Sequence, residues 1–305
     1  MKLISWNVNG LRAAHTNGMA GWWAERQPDV VTMQEVRAPD DLVAPLVGEI
    51  SGSANGWHVV HDECRAKGRA GVAVASKAKR APIVNSRSSL DGAFDATGRW
   101  IEADLDTSDG HGLTVVSTYV HTGDADNATR MAEKLAFLDA IRARMAELRG
   151  AGRHVVVTGD FNVGHRELDI KNWKGNRGKA GFLPEERAFF DALLADEGID
   201  LVIVSTRHDT HAELTLRALA AGKHVFVEKP TGHTVNESKA MLAAARASGR
   251  VAQVGMHRRI GPHHVSGMKF LKSGSVGKVG MVRLFAHGGG GEEKPSANEA
   301  APKSM

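Results

Sequence analysis

The feature that most constrains this chain is a set of short apolar runs that each end in a polar cluster. The three clusters are Trp6-Asn7-Val8-Asn9-Gly10, Gln34-Glu35-Val36-Arg37 and Gly159-Asp160-Phe161-Asn162. Short apolar runs bounded by polar residues are typical of strands. Because the carboxyl ends of strands in an α/β sheet open onto one edge, side chains distant in the sequence can converge there. The sequence therefore predicts an α/β fold with one polar site at a sheet edge.

Strands and helices alternate irregularly over the first two thirds of the chain. Strands are predicted over residues 1–6, 30–34, 58–62, 71–76, 100–106, 113–119 and 155–159. Helices are predicted over residues 18–26 and 128–148, and a third begins at Pro184. Within 128–148 the apolar residues recur at helical spacing, which is typical of a helix packed on a sheet.

From Ile199 onward the alternation of strands and helices becomes regular. Strands are predicted over residues 201–205, 225–228 and 251–254, and helices over 211–221 and 235–247. This β-α-β-α-β spacing predicts a parallel sheet with crossover helices. No linker-like stretch precedes the change at 196–200. The final residues, 287–305, are rich in Gly, Ala, Pro and charge, which predicts a disordered tail.

The residue types in the three clusters suit a hard divalent cation and a phosphate ester. Mg²⁺ takes oxygen ligands, usually one or two carboxylates with several waters. Hydrolysis of a phosphodiester also needs charge neutralised on the phosphate oxygens and a water held in line. Taken singly, each cluster is equally typical of a solvated strand end or a turn. Their order along the chain is what favours a site.

In that order the clusters resemble the exonuclease III branch of the endonuclease/exonuclease/phosphatase superfamily. The segments that carry the resemblance are 4–12, 33–37, 117–120, 157–163 and 168–173, the last leading into 181–187. The resemblance covers residues 1–197. We therefore predict an incomplete four-layer α/β sandwich, with helices outside two sheets, followed by a partial Rossmann-like parallel segment.

The resemblance implies a role for each residue of the site. Glu35 would be the metal carboxylate, with Asn7 beside it, and the cation would be Mg²⁺ or Mn²⁺. Asp160 would orient and deprotonate the attacking water, and Asn162 would donate to the scissile phosphate. Tyr119 would hydrogen-bond a phosphate oxygen. The implied activities are incision beside abasic sites in duplex DNA and removal of nucleotides from a 3′ end.

A basic segment that follows these motifs resembles the family's DNA-facing loop. The implied DNA contacts are Arg12 in the first motif and, in the basic segment, Lys171, Asn172, Trp173, Lys174 and Arg177. Basic and aromatic residues in a glycine-containing loop suit contacts that follow a phosphate backbone. An exposed, solvated loop is the alternative interpretation. The net charge of +4 permits a polyanionic partner without requiring one.

Two motifs that the resemblance leads us to expect, Arg-Ile-Asp and a terminal Ser-Asp-His, do not occur in the sequence. The resemblance places the Asp-His pair at the centre of the active site. Their absence predicts that hydrolysis is weakened. A catalytically inactive chimeric fusion is therefore an alternative.

A second resemblance covers residues 199–286 and involves the Gfo/Idh/MocA oxidoreductases, which predicts a second domain over 198–286. It rests on segments 200–206, 221–230 and 253–259 and on His211. Glu228-Lys229-Pro230 matches the family signature, which implies that Lys229 would lie beside a nicotinamide and its sugar or polyol substrate. A dinucleotide site needs a Gly-x-Gly-x-x-Gly turn after the first strand, and none precedes Asp200. We therefore do not expect NAD(P) to bind, and oxidoreduction remains the alternative function.

The composition bears on location and partners. Cys64 is the only cysteine, which favours a reducing cytosol. No signal-like apolar segment and no apolar run of about 20 residues occurs, so we predict a cytoplasmic protein without a membrane partner. No feature of the sequence specifies an oligomeric state.

Overall fold

The structure is a computed structural model of the chain. It describes residues 1–90, 92–107, 112–170, 172–206, 208–256, 262–278 and 280–281. The contacts divide the chain into two compact units, Met1–Gly255 and Met256–Met305. The predicted disordered tail, 287–305, lies outside the described residues. In the second unit the described helix is α9, Pro262–Lys272.

A first sheet is built from four strands of the N-terminal region. The strands are β1 (Leu3–Asn7), β2 (Val30–Gln34), β3 (Trp57–Asp62) and β4 (Val72–Lys77). Their order is β1-β2-β4-β3, and only β1 and β2 are parallel. Three helices pack against the outer face of this sheet: α1 (Leu11–Thr16), α2 (Met19–Arg26) and α3 (Asp40–Ser51).

A second sheet follows in the chain. Its strands are β5 (Ile83–Arg87), β6 (Trp100–Leu105), β7 (Leu113–Tyr119) and β8 (His154–Asp160), in that order across the sheet. The pair β7 and β8 is parallel, because the long helix α4 (Ala128–Gly150) crosses over between them. The short helix α5 (Trp173–Asn176) and the helix α6 (Pro184–Ala195) come after β8.

The two sheets face each other across a buried apolar layer. Val30, Val72, Val74, Ile101 and Val115 belong to this layer, and each is at most 2% exposed. Burying one such side chain stabilises the fold by about 1.5–3 kcal/mol. A further apolar layer joins the second sheet to α4 and α6. The predicted α/β fold, with sheets flanked by helices, is confirmed.

The regular alternation predicted from Ile199 is also present. It consists of β9 (Leu201–Val204), α7 (His211–Ala220), β10 (His224–Glu228), α8 (Val235–Ser248) and β11 (Ala252–Gly255). The three strands are parallel, with β10 in the middle, and α7 and α8 cover one face. Whether this sheet is a Rossmann-like fragment stays a prediction.

Polar contacts within the first unit join α4, the segment after β8 and the three-stranded sheet. Nη1 of Arg149 lies 3.2 Å from Oδ2 of Asp196, whose backbone oxygen accepts from Nζ of Lys223 at 2.6 Å. Arg217 on α7 reaches Oδ1 of Asp191 on α6 at 2.8 Å. The predicted domain boundary at 197/198 therefore lies where contacts cross, and it stays a prediction.

Among the helices and strands of the described residues, five were not predicted from the sequence: α1, α3, α5, β5 and α9. Pro45 lies inside α3 and obscured its helical pattern. Strand β5 pairs with β6 through an irregular register between Ile83 and Asn85, and three of its residues are exposed, so it lacks the apolar signature of a strand. The predicted strands of the two larger sheets agree with the structure to within two residues at each end.

Candidate active site at the facing edges of two sheets

The ends of β1, β2 and β8 bring three predicted site residues into direct contact. Nδ2 of Asn7 donates to Oε1 of Glu35 at 2.9 Å and to Oδ2 of Asp160 at 3.2 Å. Asn7 and Glu35 come from the first sheet, whereas Asp160 ends a strand of the second. The amide therefore links two carboxylates across the sheet interface, as the strand-end clusters predicted.

Buried hydroxyl and amide groups fix the two sheets relative to each other beneath this site. Oγ1 of Thr32 and Oγ1 of Thr158 are 2.7 Å apart, and Nε2 of Gln34 donates to Oγ of Ser117 at 2.9 Å. Oγ of Ser117 in turn donates to the backbone oxygen of Met33 at 2.9 Å. Unsatisfied polar groups are costly when buried, so this network favours one relative position of the strands. Gln34 immediately precedes Glu35, so the network also positions the carboxylate.

The backbone around the site has an unusual share of left-handed residues. Asn9, Glu35, Arg37 and Asn162 have φ of 47°, 53°, 50° and 48°. Residues other than glycine rarely adopt this region, and such conformations cluster at functional sites. At Glu35 and Arg37 the bends turn the chain after β2, and Val36 N donates to Gly71 O at 2.9 Å between them.

The surroundings of Glu35 favour its ionised form. Burial acts to raise the pKa of Glu35, but the hydrogen bonds from Asn7, Arg37 and Tyr119 and the charge of Arg37 lower it below its ordinary value. A guanidinium nitrogen of Arg37 contacts Oε2 of Glu35 directly. Burial and the negative charge of Glu35 raise the pKa of Tyr119. At neutral pH the site thus contains a carboxylate beside a protonated phenol.

A basic cavity of about 360 Å³ opens beside Glu35 and Tyr119. Arg37, Arg69 and Arg99 contribute three guanidinium groups to its lining. Nη1 of Arg99 donates to the backbone oxygen of Tyr119 at 3.1 Å and its guanidinium lies 5.2 Å from the centre of the Tyr119 ring. Planar guanidinium groups suit phosphate oxygens, because they donate two hydrogen bonds in parallel.

Asn162 lies two residues beyond Asp160 and is tied to it through the backbone. Its amide nitrogen donates to Oδ1 of Asp160 at 3.1 Å. Nδ2 of Asn162 donates to the backbone oxygen of Val120 at 2.8 Å, so one of its two side-chain N–H donors is used. The predicted contact of Asn162 with a scissile phosphate stays a prediction. All five residues predicted for catalysis and metal binding therefore lie at this edge.

The family to which this geometry belongs is decided by a match along the chain. A model of the endonuclease/exonuclease/phosphatase family matches residues 4–222. The chain belongs to this family. The match covers all the residues of the site. It also extends beyond residue 197 and includes α7, since it ends at residue 222.

Individual relatives in this family are nucleases by name. The chain is 33% identical over 207 residues to an exodeoxyribonuclease III of Haemophilus influenzae, with 66% of this chain and 73% of the relative covered. It is 33% identical over 199 residues to the DNA repair nuclease APEX1 of Danio rerio, covering 64% of this chain and 59% of that relative. The chain therefore spans less than two thirds of the length of the Danio rerio relative and about three quarters of the Haemophilus influenzae relative.

Solved structures of the family share the fold. An AP endonuclease from Archaeoglobus fulgidus superposes with a TM-score of 0.52 at 23% identity, covering 65% of this chain and 76% of that one. A 3′-5′ exonuclease from Neisseria meningitidis gives 0.51 at 25% identity, covering 64% and 70%. These likenesses agree with the two facing sheets flanked by helices.

The predicted DNA-facing residues lie on and around the short helix α5. Asn172 caps this helix, because its Oδ1 accepts from Gly175 N at 3.3 Å. Lys174 and Arg177 lie over the ring of Trp173, at 5.7 and 4.4 Å from its centre. Lys171 lies outside the described residues. Arg12 is exposed in the first turn of α1, directly after the strand that carries Asn7. Contact of these residues with DNA stays a prediction.

The residues of the oxidoreductase alternative lie at the carboxyl edge of the three-stranded sheet. Glu228 ends β10 and Lys229 follows it, and His211 begins α7. His211 is 1% exposed, and its two ring nitrogens lie 2.6 and 3.0 Å from the backbone oxygens of Pro230 and Thr206. Through these contacts His211 joins the loop after β9 to the loop after β10. The comparisons give no support to an oxidoreductase function.

Sequence reasoning missed several residues that shape the site. Arg69 and Arg99 belong to no motif, and only their positions in the fold bring them beside Glu35. Arg37 lies within the second polar cluster, and this was the one available signal. Lys134 and Glu186 are both fully buried behind the site, although charged residues on helices are usually exposed.

Among the described residues, no helix combines the length and apolar character needed to cross a bilayer.

Proposed function

We propose that the chain hydrolyses phosphodiester bonds of DNA with the help of a divalent cation, either beside abasic sites or at 3′ ends. The observation that carries the proposal is the contact of Asn7 with both Glu35 and Asp160 at the facing edges of two sheets. The names of the relatives, an exodeoxyribonuclease and a DNA repair nuclease, support a DNA repair nuclease function. Family membership makes a divalent metal the expected cofactor.

The residues present fit a hard cation such as Mg²⁺ or Mn²⁺. Glu35 would be the metal carboxylate, because carboxylate oxygens are ligands that these ions take. Asn7 lies beside it with Nδ2 toward Glu35, and its Oδ1 accepts from Asn9 N at 3.1 Å, so this oxygen would have one lone pair left for a cation. Within the part of the chain that the structure describes, no three His, Cys, Asp or Glu side chains group to hold a metal. The proposal needs only the one or two carboxylates that Mg²⁺ uses. When bound, the cation neutralises charge on the phosphate oxygens.

In this proposal Asp160 acts on a water molecule. Its Oδ2 accepts from Asn7 and its Oδ1 from the backbone of Asn162, so the carboxylate is held in one orientation by two elements. A positioned carboxylate within hydrogen-bond reach of water can remove its proton as the water attacks phosphorus. Because the Asp-His motif of the family does not occur in the sequence, the proposal assigns this role to Asp160 alone.

In this proposal, donors from several elements would contact the phosphate. The remaining side-chain N–H of Asn162 and the protonated hydroxyl of Tyr119 supply neutral donors, and Arg37, Arg69 and Arg99 supply positive charge. Donors fixed in advance stabilise the negative charge that develops on phosphate oxygens, and they do so without reorganising during the reaction. The site thus offers binding, charge stabilisation and a base at one place.

The test is incision of a duplex with a single abasic site, and release of nucleotides from a 3′ end, with Mg²⁺ or with EDTA. Asp160→Asn should reduce cleavage by roughly 100- to 10,000-fold, because it removes the base. Asp139→Asn is the matched control, since Asp139 is exposed on α4. The proposal is supported if cleavage is lost in EDTA and in Asp160→Asn, and if Asp139→Asn cleaves like the native chain. No cleavage by the folded native chain would overturn it.

A further inference from the structure

A buried ion pair lies behind the candidate active site. Nζ of Lys134 on α4 lies 2.6 Å from Oε1 of Glu186 on α6, and both side chains are fully buried. Removing two charges from water costs about as much as their attraction returns, so a buried pair is weak evidence of stabilisation. The contacts that the two groups make with the backbone show another role.

Lys134 joins the loops that follow two strands of the second sheet. Besides Glu186, its Nζ donates to the backbone oxygens of Thr122 and Asn162, each at 2.9 Å. An ammonium group has three N–H donors, so these three acceptors use all of them. Thr122 lies three residues beyond Tyr119, and Asn162 two beyond Asp160. One buried charge therefore holds the backbone beside both site residues.

Glu186 holds the end of the segment that carries the predicted DNA contacts. Its Oε2 accepts from the backbone nitrogens of Gly181, at 2.8 Å, and Leu183, at 2.9 Å. Gly181 has φ of 89°, and its oxygen accepts from Gly164 N at 2.8 Å. The carboxylate thus fixes the point at which the chain returns from α5 toward α6.

We propose that Lys134 and Glu186 are a positioning pair, which keeps Asn162 and the segment around Trp173 in fixed places relative to Asp160. The inference rests on the proposed function and deepens it. Lys134 contacts the loops of the chemical step, so its loss should lower kcat. Glu186 contacts the base of the DNA-facing segment, so its loss should raise KM.

A pair that served only stability would behave differently from a positioning pair. Lys134→Met/Glu186→Met keeps the side-chain volume and leaves no buried charge, so its cost in stability comes from the backbone groups that lose their partners and not from an unpaired charge. The same variant removes the hydrogen bonds to Thr122, Asn162, Gly181 and Leu183. A misplaced catalytic group costs up to about 100-fold in rate, so kcat/KM should fall by roughly 10- to 100-fold while the fold persists.

A second buried pair on the same helix provides the matched control. Nε and Nη2 of Arg144 each lie 2.8 Å from the carboxylate of Glu102 on β6, whose side chain is 4% exposed. This pair also joins α4 to the core, but it contacts no loop of the site. Arg144→Met/Glu102→Met should leave kcat and KM within about twofold of the native values.

The experiment compares the native chain, the two double variants and Lys134→Arg. Steady-state cleavage gives kcat and KM, and hydrogen exchange by mass spectrometry reports the backbone around residues 160–164 and 181–183. Lys134→Arg, which keeps the charge, should recover part of the lost kcat. Exchange at Gly181 and Leu183 should be at least about 10-fold faster in Lys134→Met/Glu186→Met only.

The outcomes separate the inference from the proposed function. If the native chain does not cleave DNA, the proposed function fails, and hydrogen exchange still tests whether the pair holds the loops. Unchanged cleavage and unchanged exchange in a folded Lys134→Met/Glu186→Met variant would overturn the inference. Equal losses in both double variants would do so as well, because they would indicate a general effect on α4.

Discussion

Oδ2 of Asp160 lies 3.2 Å from Nδ2 of Asn7, although the two residues end strands of different sheets. Asn7 ends β1, which is parallel to β2, and Asp160 ends β8, which is parallel to β7. Two parallel pairs therefore deliver their carboxyl ends to one place, and the amide joins them. The same amide group contacts Glu35 at 2.9 Å, so a single side chain organises both carboxylates.

Asn7→Ala should weaken the site without unfolding the chain. Hydrogen bonds to charged groups contribute about 1.5–3 kcal/mol each, so cleavage should fall by roughly 10- to 100-fold. Cleavage rates and urea unfolding together check this. The control is Asn85→Ala, which removes an amide contact to Asp104 at 3.3 Å on the exposed strand β5. Native-like cleavage by Asn7→Ala would show that the bridge has no functional role.

Gly159→Ala should be strongly destabilising because the backbone passes too close to its neighbour. A Cβ at Gly159, where φ is 148°, would lie 1.9 Å from the backbone oxygen of Thr118. The strand must shift, at a cost of about 2–4 kcal/mol from overpacking and backbone strain. The midpoint of urea unfolding measures this loss of stability.

Gly21→Ala is the control for this substitution. Gly21 lies within α2, and nothing lies within 4 Å of the position that its Cβ would take. Alanine is favoured over glycine in a helix, so this variant should be up to about 1 kcal/mol more stable than the native chain. Equal stabilities of the two variants would contradict the close approach at Gly159.

The main site residues could be predicted from the sequence because strand periodicity and strand direction determine where they converge. Asn7, Glu35 and Asp160 each follow an apolar run, and in a sheet the ends of such runs meet. Lys134 could have been suspected, since it lies three residues after Met131 and four before Leu138 on the buried face of α4. The pattern alone does not show what neutralises a charge at such a position.

Other features depend on contacts that no local pattern encodes. Arg69 and Arg99 come from separate loops, and only the packing of the two sheets places both beside Glu35. In the sequence, Glu186 stands in the first turn of α6, where acidic residues ordinarily interact favourably with the helix dipole from an exposed position. The structure shows that it is buried, with its carboxylate bound to the backbone of Gly181 and Leu183.

Lys174→Ala and Arg177→Ala should weaken DNA binding through loss of phosphate contacts. Each contact to a phosphate contributes about 0.9 to the slope of log K against log salt concentration, so each variant should lower the slope by about 1. Titrations of DNA with each variant at several salt concentrations measure this slope, and EDTA prevents cleavage during them. Lys239→Ala on α8 is the control, since Lys239 is exposed on a helix of the three-stranded sheet. Equal slopes for all variants would remove α5 from the DNA interface.

Asp62→Asn should change how stability depends on pH. Burial raises the pKa of Asp62 to about 6 from its ordinary value of 3.8, although its carboxylate accepts a hydrogen bond from Arg99 N at 3.0 Å. Between these values the folded chain binds more protons than the unfolded chain, so stability falls as pH rises from about 4 to about 6, by up to about 3 kcal/mol.

Asparagine does not titrate, so urea unfolding at intervals from pH 4 to 7 should show a shallower fall of stability for Asp62→Asn. The contact between His61 and Asp40 is present in both proteins, so the difference between the two curves isolates Asp62. Parallel curves for the native chain and the variant would mean that Asp62 is ionised at every pH tested and that burial does not raise its pKa.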